Sequence, residues 1–258
     1  ITPDHLDYHE TFHNYTLCKL KIIKFLKRNG TCILNVNNKL LSEIINDKIF
    51  KSINIIKIKN SKVNNYINDN DYLKGFHNKI NGSIAISIAK YLKITDEQIK
   101  HAIKHFKGLP HRMEPLHISD KVKIINDSKS TNGESTAAAL QSFENIFWIV
   151  GGQPKLGGIG ASKNFLDRVV EAFLIGKSTN FFRKEISKFR KGLPLHNCLT
   201  LEKATQLALK KSEKSNLKKY VILLSPSAAS FDQFENFEDR GNKFRAIVNQ
   251  KLNQGLKK

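Results

Sequence analysis

Three polar or glycine-rich runs follow apolar stretches, and each carries groups able to hold a small anion. The first is Asn126-Asp127-Ser128-Lys129-Ser130-Thr131-Asn132-Gly133. It puts a carboxylate, an ammonium and hydroxyls into one short segment. Such a set can hold a ribose hydroxyl, a phosphate and a carboxylate together; a turn followed by a helix N-cap accounts for it equally well. The second run is Gly151-Gly152-Gln153-Pro154-Lys155-Leu156-Gly157-Gly158-Ile159-Gly160. Its glycines would let a ligand approach the backbone, and Lys155 would supply a point charge. No Gly-Lys-Ser/Thr follows it, and Gly158-x-Gly160 is not a dinucleotide fingerprint, so a plain loop competes with an anion site. The third run is Ser225-Pro226-Ser227-Ala228-Ala229-Ser230-Phe231-Asp232-Gln233-Phe234, then Asn236-Phe237-Glu238-Asp239-Arg240-Gly241. Its hydroxyls and backbone N–H groups can wrap a carboxylate; a helix N-terminus carrying aromatic anchors is the simpler reading. No Gly-x-Ser-x-Gly hydrolase elbow occurs.

Two histidine sets invite a metal. His5, His9 and His13 are spaced four apart, as are His101 and His105. One helix face could ligate zinc this way. There is no His-Glu-x-x-His and no cysteine cluster, so solvated helix faces are the better account.

The elements around these runs are legible. Leu17, Leu20, Ile23 and Leu26 predict a helix over 15–28, ended by Gly30, and 31–36 reads as a buried strand. The stretch 37–73 is irregular, with a short strand near 53–58. Helical spacing returns between Asn81 and His105, and Thr95-Asp96-Glu97-Gln98 opens a second helix there. A boundary falls at Gly108-Leu109-Pro110-His111. Beyond it, strands at 122–125, 146–150, 173–175 and 221–224 alternate with helices near 134–143, 164–172, 180–190, 200–213 and 238–252. Strand–helix alternation implies a mostly parallel sheet covered on both faces, with ligands beyond the carboxyl ends of its strands. All three runs fall after such strands.

Composition narrows the classes. In 258 residues, 43 Lys+Arg stand against 23 Asp+Glu, a formal charge of +20. A basic chain can bind nucleic acid, yet the lysines are dispersed, without zinc-finger spacing or an RNP signature. Lys, Asn and Ile are abundant together, as AT-rich coding would make them, and a polyanionic small substrate explains the charge as well. No apolar run is long enough for a membrane helix. Three scattered cysteines, Cys18, Cys32 and Cys198, point to a reducing compartment. The sequence opens in mid-motif at Ile1, with Met113 its only methionine, and reads as a fragment of a longer protein.

Six segments in order span nearly the whole chain: Thr2-Pro3-Asp4-His5-Leu6-Asp7, Tyr15-x-x-x-Lys19, His77-Asn78-x-x-Asn81, Gly108-Leu109-Pro110-His111-Arg112-Met113-Glu114, the run 126–132, and Leu224-Ser225-Pro226 through Phe234 with Asn236-Phe237. Together they resemble the Mur ligases, ATP-dependent amide-forming enzymes of peptidoglycan precursor synthesis. The segments 127–132 and 225–237 look like the branch that adds D-glutamate.

The resemblance implies an α/β fold in two parts. Residues 1–109 would be the late part of a central P-loop-type ATPase domain. Residues 110–258 would be a Rossmann-like C-terminal domain with a mostly parallel sheet, holding the amino acid. It implies ATP and Mg2+, and transfer of D-glutamate onto UDP-N-acetylmuramoyl-L-alanine through an acyl phosphate. By similarity His5 is a magnesium ligand, and Lys19 the family's carbamylated lysine, also serving the metal. Asn78, Asn81, Arg112 and Asp127 match nucleotide contacts. Lys129, Thr131, Lys155, Ser230 and Phe237 match positions that place D-glutamate. The resemblance further implies a cytoplasmic monomer, binding neither nucleic acid nor membrane. The family's phosphate loop of Gly-Thr-Asn-Gly-Lys-Thr type, a Glu metal ligand and the UDP-sugar domain would lie outside these residues, so the chain alone is expected not to catalyse ligation. Two departures stand out. The expected Gly-Gly-x-x-Lys-Gly-x-Asp-Phe loop reads Gly151-Gly152-Gln153-Pro154-Lys155-Leu156-Gly157-Gly158-Ile159, and Ser-Pro-Ala-Cys-Ala-Ser reads Ser225-Pro226-Ser227-Ala228-Ala229-Ser230. An inactive remnant of such a ligase and a basic nucleic-acid-binding protein are the alternative readings.

Overall fold

The structure is a computed structural model, and it describes residues 4–27, 29–44, 53–58, 67, 70–73 and 75–255. Thr2 and Pro3 of the first segment lie outside the described residues. The chain divides into two compact units, Ile1–Lys107 and Gly108–Lys258.

The first unit opens with α1 (Leu6–His9) and α2 (Phe12–Leu20). Thr11 caps α2, its hydroxyl accepting from the Asn14 N–H. A 3-10 segment, Lys21–Phe25, follows, so the helix foreseen over 15–28 starts earlier and tightens before its end. Strand β1 (Thr31–Asn35) runs parallel to β2 (Asn54–Ile58), with α3 (Lys39–Ile44) between them in sequence. The helical stretch before the boundary is two helices, α4 (Phe76–Tyr91) and α5 (Asp96–His105). Thr95 and Gln98 form a reciprocal capping box at the start of α5, where a good cap is worth about 1 kcal/mol. The Asn70 amide donates to the carbonyls of Ile103 and Phe106, closing its far end. Ile67, Ile86 and Ile99 form a small core between these helices.

The second unit is a six-stranded sheet. Its strands are β3 (Glu114–Ile118), β4 (Val122–Asn126), β5 (Ile146–Gly151), β7 (Val169–Ile175), β8 (Leu195–Leu199) and β9 (Tyr220–Leu224), in the spatial order β3-β4-β9-β5-β7-β8. Only β3 is antiparallel to its neighbour. A two-residue pair, β6 (Gln153–Pro154) with β10 (Ala228–Ala229), stands apart. The helices are α6 (Gly133–Gln141), α7 (Thr179–Phe189), α8 (Leu201–Glu213) and α9 (Phe237–Gly255).

Strand alternation builds a core on each face. Trp148 and Val150 of β5 pack with Leu140, Phe182 and Ile186 of α6 and α7. Phe147 and Ile149 pack with Ala204, Ala208, Phe244 and Val248 of α8 and α9. All six residues of β5 are buried, as a central parallel strand requires.

Three elements differ from the sequence reading. Residues 160–168 form a 3-10 segment rather than the start of a helix, and Val169 opens β7 instead of continuing one. The β-branched pair Val169-Val170 suits a strand, and Val169 pairs with Ile146 in the sheet. Strands β3 and β8 occupy the two edges. Edge positions tolerate the Pro115, His117, His196 and Asn197 that mask them in the sequence.

Candidate functional site

Strands β4, β9 and β5 are neighbours in the sheet, and their carboxyl ends release the three runs side by side. The sheet order places β9 between β4 and β5, so residues about a hundred positions apart converge at one crevice. Backbone bonds lock the three loops together. The Asp127 N–H donates to the Leu224 carbonyl (2.8 Å), the Ser227 N–H to Ser130 (3.0 Å), and the Gly151 N–H to Pro226 (2.9 Å). The β6–β10 pair ties the loop carrying Lys155 to the loop carrying Ser230, with Pro154 opposite Ala228.

Asp127 sits at the base of this crevice, 5% exposed. Its Oδ2 accepts from the hydroxyls of Ser130 (2.5 Å) and Ser225 (2.9 Å), and its Oδ1 from the Met113 N–H (3.1 Å). Burial pushes the carboxyl up to about 6, opposed by those three hydrogen bonds and by the Arg112 guanidinium. The unfolded group releases its proton near 3.8, while the folded one holds it to about 6, so the contribution is present below pH 4 and is lost as pH rises through 6. Asp127→Asn keeps the shape without the titration. Between about pH 4 and 6.5 the unsubstituted chain is expected to lose up to about 3 kcal/mol relative to the Asn variant, read from urea unfolding at a series of pH values. Parallel pH curves for the two would contradict the buried titration.

Lys129 and Phe237 come together although they are far apart in the chain. The Lys129 ammonium lies 3.6 Å from the centre of the Phe237 ring, a cation–π contact. The Ser128 hydroxyl donates to the Phe237 carbonyl at 2.8 Å, fixing the start of α9 against the first loop. Thr131 is half-buried, and its N–H donates to the Lys129 carbonyl. Ser230 is buried, and its carbonyl accepts from Gln233 and Phe234. Lys155 is half-buried, directly after Pro154 of β6. Arg112 is exposed, next to Met113, whose N–H holds Asp127.

Residues outside the candidate set complete the frame. His111 is buried at a φ of 63°, with its ring nitrogen 3.0 Å from the Asn126 amide. Its N–H donates to Glu114, which also accepts from Asn126 and from Arg245. The Lys129 N–H donates to the His111 carbonyl, so this network backs the first loop. The indole N–H of buried Trp148 donates to the Ser225 carbonyl (2.8 Å). Arg240 is wholly buried beneath the loops.

The remaining candidate residues lie in the first unit. Asn78 and Asn81 are on α4. Asn81 borders an apolar cavity of about 370 Å3 between α4 and α5, walled by Ala85, Ile86, Ile99 and Ala102, with Gln98 as its other amide. His5 precedes α1, its Nε2 3.6 Å from the Asp4 carboxylate. Lys19 is exposed on α2, with its ammonium 5.0 Å from the centre of the Tyr15 ring. Magnesium needs about six oxygen-rich donors, several of them commonly waters and phosphates. Among the described residues no three His, Cys, Asp or Glu converge on a metal-sized space, so the donor set here is incomplete. Among the described residues no helix is long and apolar enough to cross a membrane.

Comparison with known proteins bears on the family and the fold. Residues 1–101 match the family model for the Mur ligase middle domain. The chain is 34% identical over 96% of its length to a UDP-N-acetylmuramoylalanine--D-glutamate ligase of Agrobacterium fabrum, and 35% identical over 96% to one of Brucella abortus. It spans 56% of the first relative's length and 57% of the second's. The solved structure of MurF from Acinetobacter baumannii superposes on 95% of the chain, and the chain covers 58% of it, with a TM-score of 0.68 at 16% identity, a likeness of fold.

Proposed function

The chain belongs to the Mur ligase family, and from that premise we propose that the complete protein joins D-glutamate to UDP-N-acetylmuramoyl-L-alanine at the expense of ATP. The chemistry has two steps. The γ-phosphoryl group of ATP passes to the substrate carboxylate, giving an acyl phosphate and ADP. The amine of D-glutamate then attacks the acyl carbon, loses a proton, and phosphate leaves. Such reactions depend mainly on positioning and on neutralising charge.

The observation that carries the reading is the convergence at one crevice of the loops bearing Lys129, Lys155 and Ser230, with Phe237 against Lys129. D-glutamate brings two carboxylates, and desolvating them without cations or donors is costly. Lys129 and Lys155 would supply the charges, with Thr131 and Ser230 supplying hydroxyls. Phe237 holds the Lys129 ammonium in place. On the nucleotide side, Arg112 would meet phosphate and Asp127 a ribose hydroxyl. Asn81 beside its apolar cavity has the character of a purine contact, and Asn78 lies one turn away on the same helix. His5 would be one ligand of Mg2+, with Lys19 joining only if carbamylated. ATP and the UDP-sugar place the reaction in the cytoplasm.

The test is a substitution in the complete protein. Lys155→Ala is expected to raise the KM for D-glutamate by about tenfold and that for ATP by less than about twofold. Equal changes in both would overturn the assignment of this loop to the amino acid.

A further inference from the structure

Among the described residues, Arg240 is the largest charged side chain with no surface exposure. It lies in α9, one turn past Phe237. Its Nε donates to the Ser128 hydroxyl (3.0 Å), and its Nη2 to the carbonyls of Ser128 (2.9 Å) and Ala228 (3.1 Å). The Ser128 hydroxyl directs its own proton to the Phe237 carbonyl. A Cβ built on Gly152 would stand 3.3 Å from Nη1, so the loop after β5 passes close to the guanidinium. One side chain therefore hydrogen-bonds to the loops after β4 and β9 at once. Nη1 itself has no hydrogen-bond partner among the described residues. A buried cation with a vacant donor is an expensive feature for packing alone, where an apolar side chain would serve.

We propose that Arg240 is the positioning residue of the amino-acid crevice, acting through Ser128 to hold Phe237 under the Lys129 ammonium and through Ala228 to set the loop after β9. The inference rests on the D-glutamate reading for its substrate, but the geometry it describes exists without ligand. Burial lowers the guanidinium to about 10, so it remains charged at neutral pH. Lysine in its place would keep the charge and lose the fork that reaches two loops together.

The experiment uses the 258-residue chain with two readouts. The first is the upfield ring-current shift of the Lys129 ε-methylene protons, and the second is D-glutamate affinity by titration. Arg240→Lys is expected to abolish the shift and weaken D-glutamate about tenfold. Leu201→Ala, a core substitution at the start of α8, is the comparison for lost stability and is expected to change neither. Retention of both shift and affinity in Arg240→Lys would overturn the proposal, as would equal losses in Leu201→Ala. Should Arg240→Lys not fold, Ser128→Ala decides: a reduced shift supports the relay, and an unchanged one overturns it. Failure of the unsubstituted chain to bind D-glutamate would sink the substrate reading, and the ring-current shift would then judge the positioning role alone.

Discussion

Gly151→Ala is expected to destabilise the second unit by about 3 kcal/mol or more, lowering its thermal midpoint by roughly 6–12 °C. Gly151 closes β5 at a φ of 129°, a region that residues with a side chain rarely enter. A Cβ there would stand 2.1 Å from the Ile175 carbonyl oxygen. That oxygen belongs to the backbone of β7, paired with Gly151 in the sheet, and it cannot swing aside. The strand end must shift, and with it the loop bearing Lys155. Gly157 provides the comparison. It also has a positive φ, 93°, but nothing lies within 4 Å of its Cβ position. Gly157→Ala should therefore cost only about 1 kcal/mol. Calorimetry of both variants checks the pair, and equal losses would mean that the close approach of β5 to β7 is not what requires glycine.

Lys129→Met is expected to weaken D-glutamate binding by roughly 30-fold, about 2 kcal/mol, with little effect on folding. The methionine keeps the unbranched shape over the Phe237 ring and removes the charge that would meet a carboxylate. Phe237→Leu leaves the charge but removes the quadrupole that holds it, and should cost only about 1 kcal/mol. The ordering of these two variants in a binding titration is the informative result. A larger loss in Phe237→Leu would assign recognition to the ring rather than the ammonium.

Much of this frame is legible in the sequence because its physics is local. The buried strands β4, β5 and β9 announce themselves as apolar runs, and the runs after them carry the chemistry. Thr95 and Gln98 signal a capping box by residue type and spacing alone, and it forms. What escapes a sequence reading depends on distant partners. Strands β3 and β8 are edges, where burial is partial and the apolar signal is diluted. The helix expected over 164–172 fails because Val169 finds Ile146 across the sheet, a pairing no local window contains. His111 looks like one loop histidine among nine until Asn126, Glu114 and Arg245 close around it.

Arg240 lies in the third run but is given no role by its residue type alone. Phe237, Phe244, Ile247 and Val248 mark the inner stripe of α9, and Arg240 falls within it at helical spacing. A charge in an apolar stripe is the sequence signal for a buried polar partner, and the partner proves to be the Ser128 loop. Conversely, Asp127 stands out in the sequence for its chemistry, and its carboxylate is also the hub of a structural network.

The most direct measurement is an amide NMR titration of the 258-residue chain with D-glutamate. Shifts are expected to concentrate at 127–132, 151–155, 225–230 and Phe237, with L-glutamate producing smaller shifts at the same concentration. Shifts confined to residues outside the three loops, or no response to D-glutamate at any concentration, would contradict the D-glutamate reading.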